Sequence, residues 1–150
     1  MALTVLLCTD GSEVAEAALA EGLALLGPPD RVVVATVIDA VDPTLVVGTG
    51  MAGGVISPEV AQRELDDRLE IARQLLATTA AGLGRPGAEQ TVLSGAPGPA
   101  LCDLAAELPA SVIVIGTRGH GGLRRAVLGS VSDHVVRHAP CPVVTCRPAE

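Results

Sequence analysis

Aromatic side chains are missing from this chain. It has no Phe, Tyr or Trp, and it has no Lys either, so all 10 of its basic residues are Arg. Without aromatic rings there is no stacking platform for single-stranded nucleic acid or sugars, and the core has to be built from Val, Leu, Ile and Ala. Positive charge is scarce as well. Ten basic residues stand against 17 acidic ones, a formal charge of −7. An isoelectric point near 4.8 argues against a coat for nucleic acid or for an anionic membrane. No apolar run approaches the roughly 20 residues that cross a bilayer; the longest candidate, residues 44–56, is broken by glycines and reads as a loop. Cys8, Cys102, Cys141 and Cys146 are scattered, with no CxxC pair. They read as small hydrophobes in a reducing compartment, the cytoplasm, with Cys141 the most exposed between two prolines. The three His complete no zinc spacing with them. The first eight residues carry no basic residue and run into Asp10, so a buried strand is expected there rather than a targeting segment.

What is present is a regular alternation. At 150 residues, 49% of them hydrophobic, with mean hydropathy +0.49, the chain is too apolar for disorder and has the length of one domain, residues 1–150. Residues 3–8 form an apolar run. The turn Thr9-Asp10-Gly11-Ser12, with Asp10 or Ser12 as the cap, opens a helix over 13–26 whose apolar face is expected to carry Val14, Ala17, Ala18 and Leu25. Arg31 opens a second strand over 32–38. Both strands are apolar on both faces, the mark of parallel strands covered by helices on each side. After a long connection, Ser57-Pro58-Glu59 reads as the cap and first turn of a long helix. It carries Ala61, Leu65, Leu69, Ala72 and Leu76 inward, has the pairs Glu59–Arg63 and Glu64–Arg68 outside, and ends at Gly82.

Residues 89–93 make a less apolar strand, nearer an edge. A short helix over 99–108 points Leu101, Leu104, Ala105 and Leu108 inward, and 111–115 is a continuous aliphatic strand. The last helix spans 130–138, with Ser130 and Asp133 in a capping box, and 142–146 is the last strand. Strand–helix alternation throughout predicts an α/β fold: a doubly wound five-stranded parallel sheet, order 3-2-1-4-5, with helices on both faces and right-handed crossovers.

Ligands of such sheets bind beyond the carboxyl ends of the strands, where the order reverses. The distinctive segment there is Gly116-Thr117-Arg118-Gly119-His120-Gly121-Gly122, followed by Gly129-Ser130 at a helix start. Glycines let backbone N–H groups approach a phosphate, and a helix N-terminus adds free donors and the positive end of a dipole. Ser130 and Ser132 add hydroxyls, and Arg118 and His120 offer positive charge. A polyphosphate can thus be wrapped without Lys. GxxxxGK[ST] is absent, and no GxGxxG follows the first strand. Asp39 and Asp42 read as a solvated loop rather than a Mg²⁺ site, and residues 48–54 as a flap over the site. Asp133 and His134 are consecutive on a helix and do not face each other.

The spacing Gly116-x2-Gly119-x9-Gly129-Ser130 resembles the nucleotide-binding signature of the universal stress protein family, UspA-like. The tail Gly-Ser-Val-Ser-Asp-His-Val-Val-Arg-His-Ala-Pro-Cys-Pro-Val is similar to that family's last helix and strand. Thr9-Asp10-Gly11-Ser12, Val37-Ile38-Asp39 and Gly95-x-Pro97 resemble its turns after strands one, two and three. The resemblance runs through the chain in order. It implies an adenine nucleotide alpha hydrolase-like fold and an ATP site. In that site Thr9 and Asp10 serve the ribose or adenine end, Val37 contacts adenine through its backbone, and Gly116, Arg118, Gly119, His120, Gly121, Gly129, Ser130, Val131 and Ser132 hold the phosphates. It further implies Mg²⁺ or Mn²⁺ with the ATP, a regulatory stress-response role with at most slow hydrolysis, and a homodimer through the last strand, with no nucleic-acid or membrane partner. The alternatives are a nucleotidyl-transferring or ATP-hydrolysing enzyme on the same fold, or a nucleotide-free dimeric module. Two positions depart from the family pattern: Cys8 where Pro is frequent, and Ser111 where Asp is usual.

Overall fold

The structure, a computed structural model, describes residues 2–40, 57–117 and 128–147. Within these, strands and helices alternate: β1 (Thr4–Cys8), α1 (Glu13–Leu25), β2 (Arg31–Ile38), α2 (Pro58–Gly82), β3 (Glu89–Ser94), α3 (Pro97–Glu107), β4 (Val112–Gly116), α4 (Ser130–His138) and β5 (Val143–Cys146). The sheet is parallel throughout, in the order β3-β2-β1-β4-β5, as the alternation predicts. The three central strands are buried on both faces because, Arg31 at the start of β2 apart, every position is aliphatic or small. Leu6, Cys8, Val33, Ala35, Ile113 and Ile115 meet Leu101, Leu104 and Ala105 of α3 and Val135 of α4 on one face. Val5, Leu7, Val32, Val34 and Val114 meet Ala18 and Leu19 of α1 and Leu76 and Ala80 of α2 on the other. β3 is an edge, and the bidentate Arg31–Glu89 pair, 2.7 and 2.8 Å, ties its start to β2. The hydrogen bonds from Arg31 hold the Glu89 carboxyl below its ordinary range.

Several local expectations are corrected. The inner face of α1 carries Ala15, Ala18, Leu19 and Gly22, while Val14 and Leu25 are exposed. The helix is apolar nearly all round, so periodicity could not choose its face. Packing did, through the smallest residues: the space a Cβ on Gly22 would fill is taken by Val114 and Cys146. Gly82 is the last residue of α2 rather than its stop, and the left-handed position that ends the helix belongs to Gly84, φ +68. α3 starts at Pro97, with Pro97 and Pro99 both in the first turn, where a missing N–H loses nothing. β4 starts after Ser111, whose hydroxyl accepts from the Thr4 amide and donates to the Ala2 carbonyl, bonding the start of β1. The capping box on α4 does not form. Gly129 is the N-cap and makes no side-chain cap bond. Asp133 instead accepts from the Arg137 guanidinium at 3.0 and 3.1 Å.

Two substitutions on α1 test this packing. Gly22→Val is expected to overpack the α1–β4 contact and lower the unfolding free energy by about 1–3 kcal/mol. Val14→Ala is expected to stay within about 0.5 kcal/mol of the parent. Urea unfolding followed by circular dichroism reads both.

Candidate functional site

The helix after β1 packs on one face of the sheet, over β4 and β5, while the helix that follows β4 lies on the other face. The helices that follow these two neighbouring strands thus lie on opposite faces, the arrangement that opens a crevice at the strands' carboxyl ends. Backbone directions make it polar. Successive residues of a strand send their N–H and C=O groups to alternate sides. The Thr9 amide donates to the Ala35 carbonyl at 3.0 Å, so Ala35 faces β1, and Val37, two residues on, faces the same way. β1, however, has its last ladder partners at Cys8↔Ala35 and Cys8↔Ile115. On the other side the Thr117 amide donates to the Cys146 carbonyl of β5, which turns the preceding Gly116 toward β1. Val37 and Gly116 thus aim main-chain groups from both flanks into the gap beyond the end of β1.

The turn after β1 is held by short polar bonds. The Gly11 amide donates to the Thr9 hydroxyl, and the Asp10 carboxylate accepts from the Ser12 amide at 3.0 Å and the Ser12 hydroxyl at 2.6 Å. Of the two candidate caps, Ser12 is the N-cap of α1, its hydroxyl accepting from the Ala15 amide, and Asp10 orients it. Gly11 needs to be glycine: φ is +82 and Leu75 fills the space of a Cβ.

The far wall is the start of α4. The Thr117 carbonyl accepts from the Gly129 amide at 2.8 Å, and the Asp133 amide is bonded to the Gly129 carbonyl at 2.9 Å. Helix geometry leaves the first-turn amides of Ser130, Val131 and Ser132 without helical acceptors, and among the described residues no side chain caps them. Gly129 has φ −70 and ψ 167, a conformation open to any residue, and a Cβ there would only reach contact distance of the Thr117 carbonyl, 3.4 Å, and the Ser132 hydroxyl, 3.7 Å. Its use is room, not backbone strain. Ser132 is buried, and its hydroxyl donates to the Gly129 carbonyl at 3.0 Å, with the Thr117 carbonyl at 3.5 Å. The Ser132 hydroxyl, expected as a donor to a ligand, thus has its hydrogen engaged within the first turn, while Ser130 is exposed.

One group in this wall is left over. Thr117 is 7% exposed, and its hydroxyl is buried with no hydrogen-bond partner among the described residues. By alternation with Ile113 and Ile115 it lies on the α3–α4 face, beside the uncapped amides. Sequence reasoning passed over it among glycines, although it is the first polar residue on that face after Ile113 and Ile115. Arg118, Gly119, His120, Gly121, Asp42 and the glycines at 48–54 lie outside the described residues. Asp39 is exposed at the end of β2. All four cysteines are free, and burial pushes their thiols up, so they serve as protonated core groups. Among the described residues no cluster of three or more His, Cys, Asp or Glu forms a metal site, and no helix is long and apolar enough to cross a membrane.

Comparison with known proteins agrees with this architecture. A universal stress protein of Thermus aquaticus is 40% identical over 86 residues, 57% of this chain and 63% of that protein; the match thus spans less than two thirds of the relative. The solved hypothetical protein MJ0577 superposes with a TM-score of 0.76 at 25% identity, covering 100% of this chain and 99% of the other. A universal stress protein solved in complex with cAMP has a TM-score of 0.61 at 22% identity over 99% and 98% of the two chains. Members from Archaeoglobus fulgidus with dAMP and from Arabidopsis thaliana with AMP share the fold. The family model for universal stress proteins matches residues 1–147. The chain belongs to the universal stress protein family.

Proposed function

We propose that this protein binds ATP in the crevice between β1 and β4 and acts as a nucleotide-dependent regulator in the cytoplasm. The observation that carries the reading is the unpartnered Thr117 hydroxyl beside three uncapped amides at Ser130, Val131 and Ser132. A buried donor without an acceptor is unfavourable, and a phosphate supplies acceptor oxygens only. The ligands of the relatives solved with cAMP, dAMP and AMP all join adenine through a pentose to a single phosphate. The main-chain groups of Val37 and Gly116 suit the edge of the base and the first phosphate. Asp10 stands at the ribose end. Arg118, Gly119, His120 and Gly121 supply the rest of the phosphate loop, and Mg²⁺ or Mn²⁺ enters bound to the triphosphate. The domain is a single universal stress protein domain, residues 1–150.

The same reading includes a homodimer through β5. Because Cys146 faces β4, Thr145 sends its N–H and C=O outward along an open sheet edge. Next to it, Glu21, Ala24, Leu25, Thr145, Cys146 and Arg147 line a groove of about 420 Å³, and Leu25 is 78% exposed. A two-fold contact of this kind closes at two copies.

Three variants test the proposal. Gly129→Val is expected to fold like the parent, since its backbone angles are ordinary, and to abolish the rise in melting temperature caused by ATP. Parent-like affinity in a calorimetric titration would remove the phosphates from α4. Thr117→Val is expected to act in opposite directions. It raises the stability of the free protein by about 1 kcal/mol by deleting an unsatisfied buried hydroxyl, and weakens ATP by about tenfold by deleting a hydrogen bond to a charged group. A stability gain without an affinity loss would place that hydroxyl outside the site. Thr145→Pro removes an outward N–H and no bond to β4, so light scattering is expected to show one chain where the parent shows two. A dimer that survives would move the interface away from β5.

A further inference from the structure

Helices α3 and α4 lie side by side on one face of the sheet and run the same way, each returning from the carboxyl end of a parallel strand. Their N-termini therefore stand at the same edge as the crevice, but they differ in what they offer there. In α3, Pro97 and Pro99 carry no N–H, and the Ala100 amide bonds the Ala96 carbonyl at 3.1 Å. The Gly95 amide just before it donates to the Ile38 carbonyl. The first turn of α3 thus has at most the Gly98 amide to give, against three amides on α4. The phosphate wall depends on one helix of nine residues, and on where that helix is held.

Gly98 sets how near it comes. This residue is buried in the first turn of α3. A Cβ built on it would lie 2.7 Å from Cγ and Cδ2 of His134 and 2.8 Å from its Cβ, where ordinary carbon–carbon contact is about 3.5–4 Å. Ring atoms can swing aside, although this ring is also stacked on His138, centroids 4.2 Å apart. A Cβ inside a helix moves only with the helix. The φ of Gly98 is not positive, so its backbone would suit alanine, and the glycine serves close approach instead. Beyond this contact Leu101, Cys102 and Ala105 of α3 share one packed core with Val131 and Val135 of α4.

We propose that Gly98 is a positioning residue for the nucleotide: its missing side chain lets α4 close on α3, and that approach sets where the amides of Ser130, Val131 and Ser132 stand. The proposal rests on the nucleotide reading above. A methyl group at position 98 moves α4 away from α3 by about 0.7 Å or more, the shortfall from ordinary contact. The push falls on His134, one turn from Ser130. Hydrogen bonds hold over a narrow range of about 2.7–3.2 Å, so amides displaced as a unit lose their fit to phosphate. The base and ribose ends, on β2 and β1, keep theirs.

Calorimetric titration of the full chain with ATP, and separately with adenosine, tests this. Gly98→Ala is expected to keep the parent's circular dichroism spectrum, to weaken ATP by about tenfold, and to leave adenosine within about twofold of the parent. Gly98→Ala combined with His134→Gly, which removes the opposing Cβ and ring, is expected to bring ATP back to near the parent's affinity. Gly22→Val, which overpacks the other face of the sheet, is expected to lose stability without losing ATP, so that destabilisation alone does not produce the effect. Parent-like ATP binding in Gly98→Ala, an equal loss of ATP and adenosine, or no recovery in the double variant would each overturn the proposal while leaving the nucleotide reading in place. A parent that takes up no ATP would remove the nucleotide site itself, and the role of Gly98 with it.

Discussion

Everything about the crevice follows from the position of β1 between β2 and β4. Parallel pairing on both sides makes β1 the centre of the sheet, and it ends level with Ala35 and Ile115 while its neighbours run on to Ile38 and Gly116. A strand that stops short between two that run further leaves their main-chain groups facing one another across a gap. The helices that follow β1 and β4 pack on opposite faces of the sheet, the arrangement that opens a crevice at the strands' carboxyl ends. A side chain on Gly116 is not needed for this, nor is a lysine; the polarity of the site is largely main chain.

That explains how a chain with no Lys and a charge of −7 can present an anion-binding surface. The donors are amides at Ser130, Val131 and Ser132, kept free because Gly129 caps α4 without a side chain, and the hydroxyl of Thr117, kept free because no described neighbour accepts from it. Thr117 and Ser132 are buried, and burial makes their donors worth more than they would be in water. Ser132 shows the contrast: its hydroxyl is spent on the Gly129 carbonyl, which fixes the first turn and leaves only its amide outward.

The order of the strands was legible because the central ones are largely aliphatic on both faces, because the less apolar residues 89–93 mark an edge, and because Gly, Pro and Ser mark the turns between them. α4 was legible to the residue, since Gly129 and Pro140 bracket it. The face of α1 was not, because Val14, Ala17 and Leu25 are as apolar as the residues that are buried; the choice rested on how closely Gly22 lets the helix approach Val114. The cap of α4 was misread because Ser130 and Asp133 have the right spacing for a box, while Arg137 one turn on offers Asp133 a bidentate partner. Thr117 was invisible for a different reason. An unsatisfied hydroxyl is a property of its surroundings, and nothing in the residues Gly-Thr-Arg-Gly announces that the threonine will be buried.

The central claim is that an adenine nucleotide lies in this crevice with its phosphates on the first turn of α4. Amide chemical shifts of the ¹⁵N-labelled chain, recorded as ATP is added, test it most directly. The account predicts that the largest changes fall on Gly116, Thr117 and the amides of residues 129–132, with Val37 and Asp10 following, and that the amides of α2 stay still. Changes confined to the α1–β5 groove, or none at millimolar ATP, would contradict it.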